Sequence, residues 1–278
     1  MLNILLNILL KVLLAMLILI GLSAAGIIGA AVILQIKRPL RRIYRERTRE
    51  EDFCPLKFIP ETLIRYVVMI EDDTFLDHPG FSIEMIRQAR RINREKKTVV
   101  AGGSTMTQQL VKNLYFEFVH SYIRKAIEIV LAIAAERKLR KTKILELYMN
   151  IVYFGNGIYG ITDAARFYFN REVQALSRNQ MFMLACMLYA PTRGNPIQYP
   201  DRFEIIRNRR IKGLLGAKMI TEEEAALFSS YSADCLDPDL RQQDDFTRNY
   251  PQDIMLVNER FGPHSGKRGA HSTGRGDE

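Results

Sequence analysis

Hydrophobic and polar positions divide the chain into three regimes. From Val12 to Ile36 no residue is charged, a run of about 25 residues that suffices to span roughly 30 Å of hydrocarbon. A cleavable leader has a shorter apolar core of about 7–15 residues, so the run predicts a retained single-pass membrane helix behind a short segment, residues 1–11. Between Glu61 and Leu227 apolar residues recur at helical spacing and no strand alternation persists, so the domain is expected to be all-α. Helices are predicted over 61–70, 82–97, 122–139, 143–150, 162–169, 177–189 and 202–219, with Thr221 capping one more. On the longest, Ala126, Ile129, Val130, Ile133 and Ala134 form the predicted core-facing stripe, with Arg124, Lys125 and Glu128 on another face. The last regime is polar and irregular, and rich in Gly, Ser and Arg from about 262, where disorder is predicted. The expected organisation is 1–11, a membrane helix 12–36, a basic juxtamembrane linker 37–60, a helical domain 61–228 and a polar tail 229–278.

Charge narrows the partners. The 278 residues carry a net charge of +9, and 47% of them are hydrophobic. That balance suits anionic partners: nucleic acid, acidic headgroups or a phosphorylated substrate. No nucleic-acid module signature is present, so nucleic acid is not an expected partner. Cys54, Cys186 and Cys235 are too scattered for a disulfide framework or a zinc site. Lys37, Arg38, Arg41, Arg42, Arg45 and Arg47 follow the apolar run directly. The positive-inside rule would put this cluster in the cytoplasm; contact with anionic headgroups is its other use.

Chemistry concentrates in two stretches. Gly102 to Asn113 begins with two glycines, and Thr105 followed by Gln108 predicts a capping box at a helix start. Free N–H groups there would attract an anion, and Lys112 shares a helix face with Gln108. Glu71, Asp72, Asp73, Asp77 and His78 lie within eight positions. Glu71 ends an apolar helix, and partial burial there would raise its pKa towards that of a general base. Asp72, Asp73, Asp77 and His78 are candidate ligands for a divalent cation. Glu128 reads as an ion-pair partner of Arg124. Gly155-x-Gly157-x-x-Gly160 matches a dinucleotide fingerprint literally. A helix precedes it, however, and Gln180 stands where an acid belongs, so a packed turn is expected.

In combination these stretches resemble the peptidoglycan glycosyltransferases, family 51 of the glycosyltransferases. The resemblance runs through Glu71-Asp72-x-x-Phe75-x-x-His78-x-Gly80, then Gly102-Gly103-Ser104-Thr105-x-Thr107-Gln108-Gln109-x-x-Lys112-Asn113, then Arg124-Lys125-x-x-Glu128. It continues with Ile144-Leu145-Glu146-x-Tyr148-Met149-Asn150, with Phe154-Gly155-x-Gly157-x-x-Gly160-Ile161, and more weakly with Leu184-Ala185, Pro191 and Asn195-Pro196. It implies a lysozyme-like fold that polymerises lipid II at the outer, periplasmic side of the bacterial cytoplasmic membrane. Glu71 would be the general base on the acceptor 4-hydroxyl, and the anomeric carbon would invert as undecaprenyl pyrophosphate leaves. Lys112, Arg124 and Lys125 would hold that pyrophosphate, and Glu128 would orient them or bind a divalent cation (Mg or Mn), for which Asp72 is the other candidate. Ser104, Thr105, Gln108, Gln109, Asn113 and His78 would bind substrate. Lipid II, the nascent chain and the bilayer are the implied partners, with cell-wall synthesis proteins as candidates. His120 and Gln180 depart from the family pattern, which has arginine and glutamate there. No Ser-x-x-Lys with Lys-Thr-Gly appears, so a monofunctional enzyme is expected. The competing readings are a membrane-anchored scaffold that binds lipid II or polymerases without turnover, and a lysozyme-like hydrolase using Glu71 and Glu128.

Overall fold

The structure is a computed structural model that describes residues 11–16, 19, 21, 40–98, 101–116, 122–192, 194–230 and 236–237. Most of the expected membrane helix, His120 and nearly all of the expected tail lie outside the described residues. Among the described residues no helix is long and apolar enough to cross a membrane.

The order is α1 (Leu40–Arg47), α2 (Glu61–Glu71), α3 (Ile83–Lys96), α4 (Met106–Tyr115), α5 (Tyr122–Lys138) and α6 (Lys141–Ile151). A two-stranded antiparallel ribbon follows, β1 (Tyr153–Gly155) and β2 (Ile158–Tyr159). Then come α7 (Ile161–Phe169), α8 (Arg178–Tyr189), α9 (Pro200–Gly216) and α10 (Glu222–Ser229). Single 3-10 turns at Leu56–Phe58 and Val173–Ala175 complete it. The chain is helical, as expected.

Helix α8 is the hub. Every residue from Gln180 to Leu188 is buried, as befits a helix that is apolar all round. Ser177 and Gln180 form its capping box, so glutamine serves where the family pattern has glutamate: either side chain can accept the Ser177 N–H. Helix α2 lies along α8 through Leu63, Tyr66, Val67 and Ile70, a 3–4 stripe. Phe182 of α8 stacks on Phe228 of α10 at 4.0 Å between centroids, and Tyr66 meets both rings edge-on. This contact carries Glu71, the last residue of α2, to a fixed place.

Four expectations need correction. The stretch 37–60 is not a linker over its described part. Leu40, Arg47, Cys54 and Ile59 are buried, and α6 holds the segment. Asn150 accepts the Cys54 N–H at 2.7 Å and donates to the Cys54 carbonyl at 2.9 Å. Glu146 accepts from Leu56 N at 2.8 Å. Arg47 is no headgroup contact: it donates to the Asn150 carbonyl at 2.9 Å and pairs with Glu50. Two described residues past 228 also pack on the helical body: Leu236 is buried and Asp237 N donates to the Tyr168 carbonyl.

The buried face of α5 is offset from the expected stripe. Ile127, Glu128, Leu131, Ala132 and Ala135 point inward, while Ala126 is exposed and Val130 is 57% exposed. From 126 to 135 the helix is apolar on nearly every side, so periodicity alone does not choose a face. The buried Glu128, which has partners inside, does.

The fourth is the ribbon, a strand pair inside the span expected to hold no strand. Asn156 and Gly157 both have positive φ, as a tight hairpin turn of Asn-Gly requires. Gly155 has φ +89°, and a Cβ there would lie 2.5 Å from the Pro191 carbonyl oxygen. The glycine pattern therefore serves close packing, as expected, and not a dinucleotide. Gly155→Ala is expected to cost about 3 kcal/mol through backbone strain and overpacking, read as a lower urea midpoint. Gly213→Ala, at a helical site with nothing within 4 Å of the added Cβ, is the control and should not destabilise.

Candidate active site

A cavity of about 1320 Å³ opens between the end of α2, α3, the Gly102–Ser104 stretch, α4, the ribbon and the facing parts of α8 and α9. Gly103 lets the second stretch approach α3, because a Cβ there would sit 2.9 Å from Ile86 Cα. Of the residues expected to act on substrate, Glu71, Ser104, Gln109, Lys112 and Asn113 line the cavity.

Glu71 has the environment a base needs. Desolvation pushes its carboxyl above the ordinary 4.5, and Asp72 adds to the rise, against the Gln109 hydrogen bond and the charges of Arg210 and Lys112. Gln109 Nε2 donates to Oε2 at 2.8 Å. The Tyr148 hydroxyl donates to Gln109 Oε1 at 3.2 Å, which fixes the amide with its NH₂ towards Glu71. Oε1 of Glu71 is buried and has no hydrogen-bond partner among the described residues. Glu71 is thus held through Oε2, and Oε1 has no hydrogen-bond partner.

The raised pKa has a cost in stability. Between 4.5 and the raised native value, the folded chain binds more protons than the unfolded chain, so this group's contribution falls as pH rises through that window. Glu71→Gln removes the effect. Its melting temperature is expected to exceed wild type at pH 8 and to lose that excess by pH 4, as read by thermal melts across pH.

A cationic group flanks Glu71. Lys112 reaches solvent, yet the cavity walls desolvate its ammonium and pull its pKa below the ordinary 10.5. Next in effect are Glu128, which opposes that fall, and Arg124 and Lys125, which add to it. Glu128 is buried, with Oε1 3.0 Å from Arg124 Nε and Oε2 3.1 Å from Lys125 Nζ. Lys125 Nζ also donates to Ser104 Oγ at 2.6 Å on the cavity wall. Three cations against one carboxylate leave an excess of two positive charges beside Glu71.

Other expected substrate contacts turn inward. Thr105, Gln108 and His78 are buried away from the cavity wall. Thr105 and Gln108 form the capping box, and the Thr105 hydroxyl donates to the Gly80 carbonyl at 2.7 Å. The α4 N-terminus is not free for a phosphate, because the protein supplies its own anion. Asp72 Oδ2 accepts from Met106 N at 2.9 Å, the favoured place for a carboxylate. His78 Nδ1 accepts from Gly80 N, so its ring proton sits on Nε2 and is donated to Asp72 at 2.9 Å.

Asp72 is thus engaged by Met106 N and His78 Nε2, two protein donors in the place where a cation would sit. Glu128 offers one carboxylate between two positive side chains, and no group of three or more His, Cys, Asp or Glu converges among the described residues. The described side chains do not make a multi-ligand site for a resident Mg or Mn ion.

Sequence reading did not single out Arg209 or Arg210, and it quoted Tyr148 within a motif without giving it a role. Arg210 had a signal: it falls in register with Phe203, Ile206, Arg207, Ile211 and Leu214, the buried side of α9, where a charge is costly unless it is used.

A family model described as Transglycosylase matches residues 37–214. The chain belongs to the transglycosylase family. The resemblance to peptidoglycan glycosyltransferases is thereby shown, over a range that includes the α1 segment. Penicillin-binding protein 4 of Bacillus subtilis is 32% identical over 207 residues, 74% of this chain and 32% of the relative. Penicillin-binding protein 1A of Aquifex aeolicus is 40% identical over 166 residues, 60% of this chain and 23% of the relative. A biosynthetic peptidoglycan transglycosylase of Thiobacillus denitrificans is 40% identical over 147 residues, 53% of this chain and 63% of the relative. The chain thus spans a third or less of the two penicillin-binding relatives and under two thirds of the third. A crystal structure of penicillin-binding protein 1A from Haemophilus influenzae covers 44% of this chain and 16% of that one, at 25% identity and a TM-score of 0.29, too low to bear on the fold.

Proposed function

We propose that this transglycosylase-family domain polymerises peptidoglycan glycan chains. It transfers a growing chain from its lipid diphosphate to the 4-hydroxyl of the GlcNAc of lipid II, inverting the anomeric carbon and releasing undecaprenyl diphosphate. One observation carries the reading: Glu71 lines the cavity with its Oε1 unpartnered, beside a group of excess positive charge.

The acceptor hydroxyl is a weak nucleophile at neutral pH. The Glu71 carboxylate takes its proton as the oxygen attacks the anomeric carbon, and the bond from that carbon to the diphosphate oxygen breaks. The diphosphate leaves as an anion and needs charge neutralisation rather than a proton. Lys112 meets it directly, while Arg124 and Lys125 act from behind Ser104 and are kept in register by Glu128. Gln109 and Tyr148 hold the base, and Ser104 and Asn113 line the donor side. Hydrolysis by two carboxyls is disfavoured, because Glu128 is tied to two cations and is not on the cavity wall.

The substrate is membrane-bound, so the uncharged run 12–36 would anchor the domain at the outer face of the cytoplasmic membrane. A periplasm-dependent reporter fused after Leu227 is expected to be active there. Activity only of a cytoplasmic reporter would contradict that orientation.

The test of function is incubation of purified full-length protein with labelled lipid II in detergent, with products sized on a gel. Long polymer is expected. Intact lipid II beside a working polymerase would contradict the reading, and tight lipid II binding in that case would favour the scaffold.

A further inference from the structure

Behind the cavity an ion pair joins three segments that carry site residues. Lys141, the first residue of α6, places Nζ 2.8 Å from Glu136 Oε1 in the last turn of α5. The same ammonium donates to the His78 carbonyl at 2.7 Å and lies over the buried Phe75 ring, 4.5 Å from its centroid. Glu136 Oε1 also accepts the Thr107 hydroxyl of α4 at 2.6 Å. Thr107 is buried, the Glu136 side chain is 9% exposed, and none of the three residues lines the cavity. A desolvated ion pair adds little net stability, and its best-attested use is to fix register.

The joined segments are those whose relative placement transfer depends on. Phe75 and His78 belong to the stretch that starts at Glu71. Thr107 precedes Gln109, the hydrogen-bond donor to Glu71, by two positions and Lys112 by five. Glu128, Ala132 and Glu136 recur four apart on one face of α5. The carboxylate that gathers Arg124 and Lys125 thus stands about two turns from the pair. Gly80 brings the Glu71 stretch onto that face: a Cβ there would lie 2.7 Å from the Ala132 carbonyl oxygen and 3.0 Å from Glu136 Cγ. At the other end of α5, Lys125 donates to Ser104 Oγ at 2.6 Å. Attachment at both ends sets the tilt of α5 as well as its position.

We infer that Lys141 and Glu136 are positioning residues for transfer: their ion pair holds α5, with its leaving-group cations, in register with the stretch that carries Glu71. The inference rests on the proposed reaction, in which proton removal and diphosphate departure share one transition state. Base and cations must then be placed correctly relative to each other at the same moment. Either substrate can bind without that coincidence, so the pair acts on kcat rather than on affinity.

The test is the double variant Glu136→Gln/Lys141→Met in full-length protein in detergent. Removing both charges strands neither, and the glutamine oxygen still accepts from Thr107, so the urea midpoint should stay near that of wild type. Initial rates over a range of lipid II should show kcat lowered between about tenfold and 10²-fold, with KM within about threefold. Farnesyl diphosphate, a soluble probe of the leaving-group cations, should bind by calorimetry as it does to wild type. Lys141→Arg, which keeps the charge, should recover most of the loss in kcat. A wild-type kcat in the folded double variant would overturn the inference, and so would a loss confined to KM or to probe binding. Thr107→Val removes only the α4 arm and covers the case in which the double variant unfolds: it should lower kcat at an unchanged KM, and a wild-type kcat there would overturn the inference equally. No transfer by wild type would contradict the polymerase reading and this inference with it, whereas transfer by wild type and folded variant alike would overturn the inference alone.

Discussion

Glu71→Gln is expected to lower the initial rate of lipid II consumption by about 10²–10⁴-fold, the usual worth of a positioned general base. Glutamine matches glutamate in shape and keeps a contact with Gln109, so the cavity is preserved and only the proton acceptor is lost. The same variant should melt no lower than wild type at pH 8, because the carboxylate it replaces is desolvated. It should also bind farnesyl diphosphate as wild type does, since Lys112, Arg124 and Lys125 remain. Slow turnover with intact folding and binding separates a lost base from a lost site. Turnover within threefold of wild type would assign the proton to another group.

Asp72→Ala is expected to give the largest loss of stability, about 3–5 kcal/mol by analogy with breaking a buried, hydrogen-bonded charge. Its carboxylate is 1% exposed and joins two elements far apart in sequence. Removal leaves Met106 N–H at the head of α4 and His78 Nε2–H without an acceptor. The α4 N-terminus then faces no negative charge. Asp72→Asn should cost less, because an amide oxygen at the Oδ2 position still accepts both donors while its NH₂ faces the His78 N–H. Urea denaturation of both variants measures this. A loss of activity in either without a loss of stability would return Asp72 to the chemistry, in conflict with the role assigned here.

Much of this was legible in the chain. Capping boxes at Thr105, Ser177 and Thr221 stand where hydroxyl and glutamine or glutamate lie three apart. The all-buried α8 follows from its unbroken apolar run. Glu71 was legible as a carboxylate at the end of an apolar helix. Other features depend on contacts distant in sequence. The 40–59 segment reads as basic and irregular because its few apolar residues are scattered, and it is held by Glu146 and Asn150, about 90 to 100 positions away. The α5 face depended on Glu128 entering the core with its cations. Helix-start amides looked free for an anion because Asp72, 34 positions upstream of Met106, had no visible reason to reach them. Arg210 and the Asn-Gly hairpin did carry local signals, a charge at a core register and a favoured turn pair.

The pH dependence of turnover at saturating lipid II tests the central claim most directly, because it reads the base while it works. A single ionisation should govern the acid limb, with its midpoint above the ordinary carboxyl value of 4.5, and activity rising as Glu71 loses its proton. Glu71→Gln should retain only a small, pH-independent residue of that activity. An activity that stays level down through 4.5, or an acid limb that survives in Glu71→Gln, would contradict the assignment of Glu71 as the base.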